Sequence, residues 1–283
     1  MQRPSTLNFR LGIIGYPLAH TLSPKIHAAA LKACGLQGSY LPFTIYPTDK
    51  QGLQAILHRL RTDNLNGLNV TIPHKQTVIE YLDELTPTAQ AIGAVNTLYL
   101  RGGKLTGDNT DAPGFLTDLK NFLALDQSQI ENRKSAIILG AGGSARAVVY
   151  ALLTDGWNVT LAARRLEQAQ QLAQSFPNYQ LPVTNLTNLS LSTFHLLVNT
   201  TPLGMTPDIE TSPLPENAVL APSTIVYDLV YNPRETKLMR QAKAQGCRAV
   251  NGLGMLIEQA ALAFEIWTGC RPPRQALWNA VET

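Results

Sequence analysis

Residues 135–147 read SAIILGAGGSARA, and they decide the fold class. Ala136, Ile137, Ile138 and Leu139 form a short apolar run, the pattern of a strand buried on both faces. Gly140, Ala141, Gly142 and Gly143 follow at once, and from Ser144 and Ala145 on to 155 the sequence reads as a helix. Strand, glycine turn and helix in that order build a dinucleotide cradle. Gly140 permits the tight turn, Gly142 lets backbone approach a pyrophosphate, and the helix opening near Gly143 aims unpaired N–H groups at the phosphates. By itself the turn also fits a plain strand-to-helix connection. The next strand, Trp157 to Ala162, ends in Ala163, Arg164 and Arg165, where an NAD site would carry Asp or Glu for the ribose 2′-hydroxyl. Two guanidinium groups and no acid suit a 2′-phosphate, hence NADP.

The bulk numbers bound what surrounds this unit. A chain of 283 residues suggests two domains, and 45% hydrophobic with 15% charged residues describes an ordinary chain with large cores. A net charge of +3, without a basic run interleaved with aromatics, is too small to imply nucleic acid, and none is expected as partner. Cys34, Cys247 and Cys270 are far apart with no CxxC, which suggests neither a disulfide framework nor a zinc site. The N-terminus has no signal-type apolar core and no window reaches membrane-spanning length, so the expected location is the cytoplasm. The expected partner is a small molecule, with no membrane; a homodimer is left open.

Ahead of the cradle, strands at Phe9–Ile14, Tyr40–Tyr46 and Gly67–Ile72 alternate with helices at 25–34 and 49–60, an α/β unit. Ser23 reads as the N-cap of the first helix and Pro24 as its first residue. Thr21 and Ser23 place hydroxyls at the carboxyl end of a strand, where ligands of α/β sheets bind. Asn69, Thr71 and Asn96 are polar residues in apolar runs and need partners, from structure or from ligand. His74 and Lys75, just past a strand, read first as surface residues, Asp111 as a helix cap, and Gln259 as the odd polar member of an apolar helix. The stretch 91–100 reads as one run into a hairpin with 104–106. Residues 124–134 are polar and read as the passage between domains. After the cradle, strands at 196–199, 224–229 and 248–251 complete a doubly wound sheet. The helix at 255–267 can return to the first unit. The expected architecture is α/β, with a substrate domain of residues 1–111 completed by 252–283, a Rossmann domain of 112–251, and a cleft between them.

Several separated motifs coincide here: GYPLAHTLSP (15–24), NVTIPHK (69–75), GAVNTL (93–98), GDNTD (107–111), GAGGSARA (140–147), NTTPLGM (199–205), DLVYNPRETKL (228–238) and GLGMLIEQAALAFEIWTG (252–269). In this order they resemble the shikimate dehydrogenase family. The resemblance implies reduction of 3-dehydroshikimate to shikimate with NADPH, a step of aromatic amino-acid precursor synthesis, with Lys75 and Asp111 as the catalytic pair and no metal. It implies a substrate site of Thr21, Ser23, Thr71, Lys75, Asn96, Asp111, Tyr231 and Gln259. For the cofactor it implies the turn 140–145 with Ala163, Arg164, Arg165, Thr200, Leu229, Gly252 and Met255. Thr21 stands where the family usually has serine, which bears on how quinate is excluded. The alternatives are a broader quinate/shikimate dehydrogenase using NAD or NADP, and a non-catalytic NADP sensor, which the presence of both Lys75 and Asp111 argues against.

Overall fold

The structure is a computed structural model describing residues 8–124, 134–185 and 191–282. In chain order the elements are β1 (Asn8–Gly15), α1 (Ser23–Ala33), β2 (Gln37–Thr44), α2 (Lys50–Arg61), β3 (Gly67–Val70), α3 (His74–Thr77), β4 (Glu84–Leu85), α4 (Pro87–Ile92), β5 (Thr97–Arg101), β6 (Lys104–Asp108) and α5 (Asp111–Ala124). There follow β7 (Ser135–Leu139), α6 (Gly143–Thr154), β8 (Asn158–Ala162), α7 (Leu166–Gln174), β9 (Val183–Thr184), β10 (Leu196–Asn199), β11 (Ile225–Asp228), α8 (Lys237–Ala244), β12 (Arg248–Asn251), α9 (Leu253–Thr268) and α10 (Arg274–Glu282). The chain divides into two compact units, one of Met1–Gly114 with Ile257–Thr283, the other of Phe115–Leu256. Most of the polar passage expected at 124–134 lies outside the described residues.

The first unit holds a six-stranded sheet in the order β2-β1-β3-β5-β6-β4. β1 pairs in parallel with β2 and β3, whereas β5 runs antiparallel to β3 and to β6, so the sheet is mixed. The β5–β6 hairpin turns through Gly102 and Gly103, whose φ of 59° and 80° exclude most L side chains. Helix α2 buries Leu53, Ile56, Leu57 and Leu60, the stripe its spacing predicts, against Ile14, Leu68, Val70 and Leu98 of the sheet. Asp49 caps it by accepting from Gly52 N at 2.8 Å. On the outer strand β2, Ile45 donates its N–H to Gly15 O, so alternation turns the N–H side of the even-numbered positions away from β1, and one of those is Pro42.

Four expectations are corrected here. Ser23 is the first residue of α1 rather than its cap: Leu22 holds the cap position without a side-chain bond, and Thr21 Oγ1 accepts from Ser23 N at 3.3 Å. The run 91–100 is not one strand, because α4 precedes β5. Thr86 caps that helix, Pro87 opens it and Gly93 closes it at φ 67°. His74 is buried, its Nε2 2.8 Å from Ile45 O. Cys34 and Cys270 form a disulfide, with Cα atoms 6.5 Å apart and 236 residues between them in sequence. Sequence spacing carries no trace of such a pairing; the packing of α1 against α10 creates it.

Trp267 of α9 lies flat on bare backbone of the first sheet. A Cβ on Gly67 would sit 2.3 Å from its Nε1, which donates to Leu98 O at 3.1 Å. This contact anchors the helix that carries Gln259.

The second unit holds six strands, all parallel, in the order β12-β11-β10-β7-β8-β9. Read from β9, this is the doubly wound dinucleotide-binding order, reversing between β7 and β10. Ala136, Ile137, Ile138 and Leu139 are fully enclosed, as a strand covered on both faces requires. Among the described residues no helix is long and apolar enough to cross a membrane.

Candidate active site

In the first unit, β3 ends at Val70 and the chain turns through Thr71 to Pro73 into α3, which places Lys75. Helix α5 begins at Asp111, and its first turn is capped by Asn109, whose Oδ1 accepts from Ala112 N at 3.2 Å. Asp111 is therefore not the cap. Its Oδ2 accepts from Lys75 Nζ at 2.5 Å, with the two side chains only 7% and 11% exposed. Lys75 is correspondingly a buried residue and not a solvated helix start.

Asn96, one residue ahead of β5, is the hub of the cluster. Its Nδ2 donates to Asp111 Oδ1 at 2.9 Å, and Thr110 Oγ1 and Gln259 Oε1 lie at 2.9 and 3.2 Å. Its Oδ1 accepts from Thr110 N at 2.8 Å and from Thr97 Oγ1 at 2.9 Å. Because a backbone N–H cannot change sides, the Thr110 N–H fixes which way the amide faces. Gln259 is buried in this cluster and not turned to solvent.

The structure thus brings together Lys75, Asp111, Asn96 and Gln259. Thr71 is half-buried, with its N–H on Ile14 O at 2.9 Å; Ser23 is buried at the start of α1 and Thr21 half-buried beside it. Tyr231 belongs to the second unit, just past β11. Asn69, polar in an apolar strand, finds its partners within the protein: Tyr40 Oη donates to its Oδ1 at 2.7 Å, and its Nδ2 donates to Asn96 O at 3.1 Å. Sequence reasoning missed Tyr40 and Thr97. Thr97 carried a signal, as a hydroxyl in the apolar run after Asn96.

In the second unit the turn 140–145 joins β7 to α6. Gly140 has φ 110°, and a Cβ there would meet Thr200 Oγ1 at 2.7 Å. Gly142 caps α6, and a Cβ on it would meet nothing within 4 Å, so its backbone faces open space at a helix N-terminus. Arg164 and Arg165 are exposed at the end of β8, after buried Ala163. Leu229 donates its N–H to Asn199 O at 2.9 Å, and Gly252 packs so closely that a Cβ would lie 2.2 Å from Leu229 O. Met255 is buried in the first turn of α9. A second buried carboxylate, missed in the sequence, lies here. Asp228 accepts from Asn199 Nδ2 at 2.8 Å, Val230 N at 3.1 Å and Thr236 Oγ1 at 2.6 Å. Burial outweighs these donors and pushes its carboxyl up to about 6.

Three family models match this chain: the shikimate dehydrogenase substrate-binding domain over residues 13–98, shikimate/quinate 5-dehydrogenase over 123–209, and the shikimate 5′-dehydrogenase C-terminal domain over 252–282. Shikimate dehydrogenase (NADP+) of Carboxydothermus hydrogenoformans is 43% identical over 276 residues, 95% of each chain. The chain belongs to the shikimate dehydrogenase family. Among solved members, a shikimate dehydrogenase in complex with NADP+ superposes with a TM-score of 0.88 at 36% identity, over 97% of this chain and 95% of that one. The Thermus thermophilus enzyme in complex with NADP(H) and shikimate gives a TM-score of 0.85 at 39% identity, over 97% and 98%. Membership in the shikimate dehydrogenase family agrees with the doubly wound second sheet and with the two α/β units.

Proposed function

We propose that the protein reduces 3-dehydroshikimate to shikimate reversibly with NADPH, in the route to chorismate and the aromatic amino acids. The observation that carries this reading is the enclosed Lys75–Asp111 pair, held by Asn96 beside Gln259. NADPH, when bound, supplies the hydride to the ketone carbon. The residues of the second unit fit that cofactor. The open backbone at Gly142 and the helix start at Gly143 suit a pyrophosphate, with Ala141, Ser144 and Ala145 completing the turn. Arg164 and Arg165 suit the 2′-phosphate. Thr200, Leu229, Gly252 and Met255 complete the assignment on the cofactor side.

Reduction leaves an alkoxide, and Lys75 delivers a proton from Nζ to that oxygen, to be replaced from solvent. Asp111 orients the ammonium toward substrate. Thr21 and Ser23 bind the substrate carboxylate at the start of α1; Thr71, Asn96, Gln259 and Tyr231 read the ring hydroxyls. A site built to satisfy hydroxyls rejects analogues that lack them, since its polar groups would be left unpaired. We place the enzyme in the cytoplasm, and light scattering decides between a monomer and a homodimer.

Initial rates with shikimate and with quinate, each against NADP+ and NAD+, test the reading. Shikimate with NADP+ is expected to give the highest kcat/KM. Turnover of quinate with NAD+ at an equal or higher kcat/KM would replace it with the broader activity, and no turnover with any pair would end it.

A further inference from the structure

From Asn96 one path of hydrogen bonds extends away from the catalytic pair to Tyr40, with its donors running toward Asp111. Tyr40 Oη on β2 donates to Asn69 Oδ1 on β3 at 2.7 Å. Asn69 Nδ2 donates to Asn96 O at 3.1 Å and reaches Thr97 Oγ1 at 3.5 Å. Thr97 Oγ1 donates to Asn96 Oδ1 at 2.9 Å, and Asn96 Nδ2 donates to Asp111 Oδ1 at 2.9 Å. The five residues, from Tyr40 to Asp111, are each no more than 6% exposed. Along this path each donor hands on toward the carboxylate, while Asn96 Nδ2 also meets Thr110 Oγ1 and Gln259 Oε1.

The direction follows from chemistry. A carboxylate only accepts, so Asn96 must present Nδ2 to Asp111 and Oδ1 to the far side. Oδ1 accepts the Thr110 N–H at 2.8 Å and the Thr97 hydroxyl at 2.9 Å, with the Thr110 hydroxyl farther off at 3.2 Å. With its proton on the nearer partner, Asn96 Oδ1 at 2.9 Å rather than Thr110 Oγ1 at 3.2 Å, Thr97 accepts from its other neighbours, which suits the N–H of Asn69. Asn69 faces Thr97 across the β3–β5 register and also grips the backbone carbonyl of Asn96 itself. Its Oδ1 is left for Tyr40. The Tyr40 ring is stacked on the His27 imidazole, centroids 4.1 Å apart and planes within 6°. Burial lowers His27 to about 3, so that ring stays neutral at working pH. Chains of this kind polarise each successive bond in the same sense.

We propose that this one-way chain, Tyr40 to Asn69 to Thr97 to Asn96, aims the Asp111 carboxylate at Lys75, and that Tyr40, Asn69 and Thr97 are positioning residues for turnover. The inference rests on Lys75 and Asp111 being the catalytic pair. Thr97 is fully enclosed and acts through Asn96.

Thr97→Val and Thr97→Ser separate this role from packing. Valine keeps the volume and loses the hydroxyl; serine keeps the hydroxyl and loses a methyl. A positioning role predicts that Thr97→Val lowers kcat about five- to tenfold, the size of one lost buried hydrogen bond, with KM for NADP+ unchanged. Thr97→Ser then recovers most of kcat despite the larger packing defect. Tyr40→Phe is expected to lower kcat in the same sense and to combine with Thr97→Val less than multiplicatively, because both cut one chain. A Val variant as fast as the Ser variant overturns the proposal, and if Thr97→Val does not fold, Tyr40→Phe at wild-type kcat does the same.

A crystal structure of Thr97→Val, or of Tyr40→Phe, decides independently of any activity. The Asp111 carboxylate is expected to shift relative to Lys75, whereas a Lys75 Nζ still 2.5 Å from Asp111 Oδ2 and an Asn96 Nδ2 still 2.9 Å from Asp111 Oδ1 overturn the chain. A wild-type enzyme inactive on shikimate would sink the proposed function instead and leave that structural comparison to decide.

Discussion

Replacing Lys75 by Met removes the ammonium and leaves a side chain of similar length in its place. Two separate effects follow from the geometry. Without the Nζ donor at 2.5 Å, Asp111 keeps Asn96 as a donor but stands as a carboxylate only 7% exposed with no cation against it. Breaking one side of a buried pair costs about 3 kcal/mol of stability. Turnover is expected to fall by about a hundredfold or more, the usual contribution of a positioned acid, which corresponds to roughly 2.7 kcal/mol of barrier. The double variant Lys75→Met/Asp111→Asn tells the two apart. It carries no buried charge, so it should regain most of the lost stability while remaining inactive. The assay is the initial rate of NADPH formation from shikimate, paired with thermal unfolding of each variant. The reasoning is refuted if Lys75→Met turns over within a few-fold of wild type. It is equally refuted if the whole loss sits in KM for shikimate, the mark of a group that binds ground state and transition state alike.

Arg164→Ala is expected to weaken NADPH binding about tenfold, since a hydrogen bond to a charged group is worth roughly 1.5–3 kcal/mol; an unchanged dissociation constant by titration would reject the 2′-phosphate assignment. Asp228 holds its proton more tightly folded than unfolded, its carboxyl rising from 3.8 to about 6. Its contribution to stability is therefore full below about pH 4 and is lost as the pH rises through 6, about 3 kcal/mol in all. Denaturant titrations across that window should show the decline in wild type and its absence in Asp228→Asn. Reducing the Cys34–Cys270 disulfide, or replacing both residues by Ser, is expected to cost roughly 2–4 kcal/mol of unfolding free energy. Equal melting points with and without reductant would count against it.

What could be read in the sequence depended on range. The strand at 136–139 is apolar on every residue and ends in glycines, so a strand, turn and helix were legible from that window, and Arg164 and Arg165 after the next strand pointed to a dinucleotide. The strands at 196–199 and 248–251 were also placed at the observed residues. Polar residues in apolar runs were visible as misfits, Asn69, Thr71 and Asn96 among them, but not their partners. Tyr40 looks like any strand aromatic until β2 and β3 are placed on either side of β1, which brings its hydroxyl to Asn69 of β3. Helix α4 was hidden by its length, because six residues give no periodicity, although Thr86, Pro87 and Gly93 marked both its ends. The disulfide was hidden by distance along the chain.

The outer strands of the two sheets have one further consequence. A sheet margin is a template on which another polypeptide can crystallise. In this protein β4 and β9, at one margin each, are two residues long and offer almost nothing to copy. β2 is long enough to be dangerous, with Leu41 half uncovered on it, but its outward face is broken by Pro42, which has no N–H to give. The imino acid acts as a stopper, and replacing it with valine would be expected to trade solubility at high concentration for fibrils.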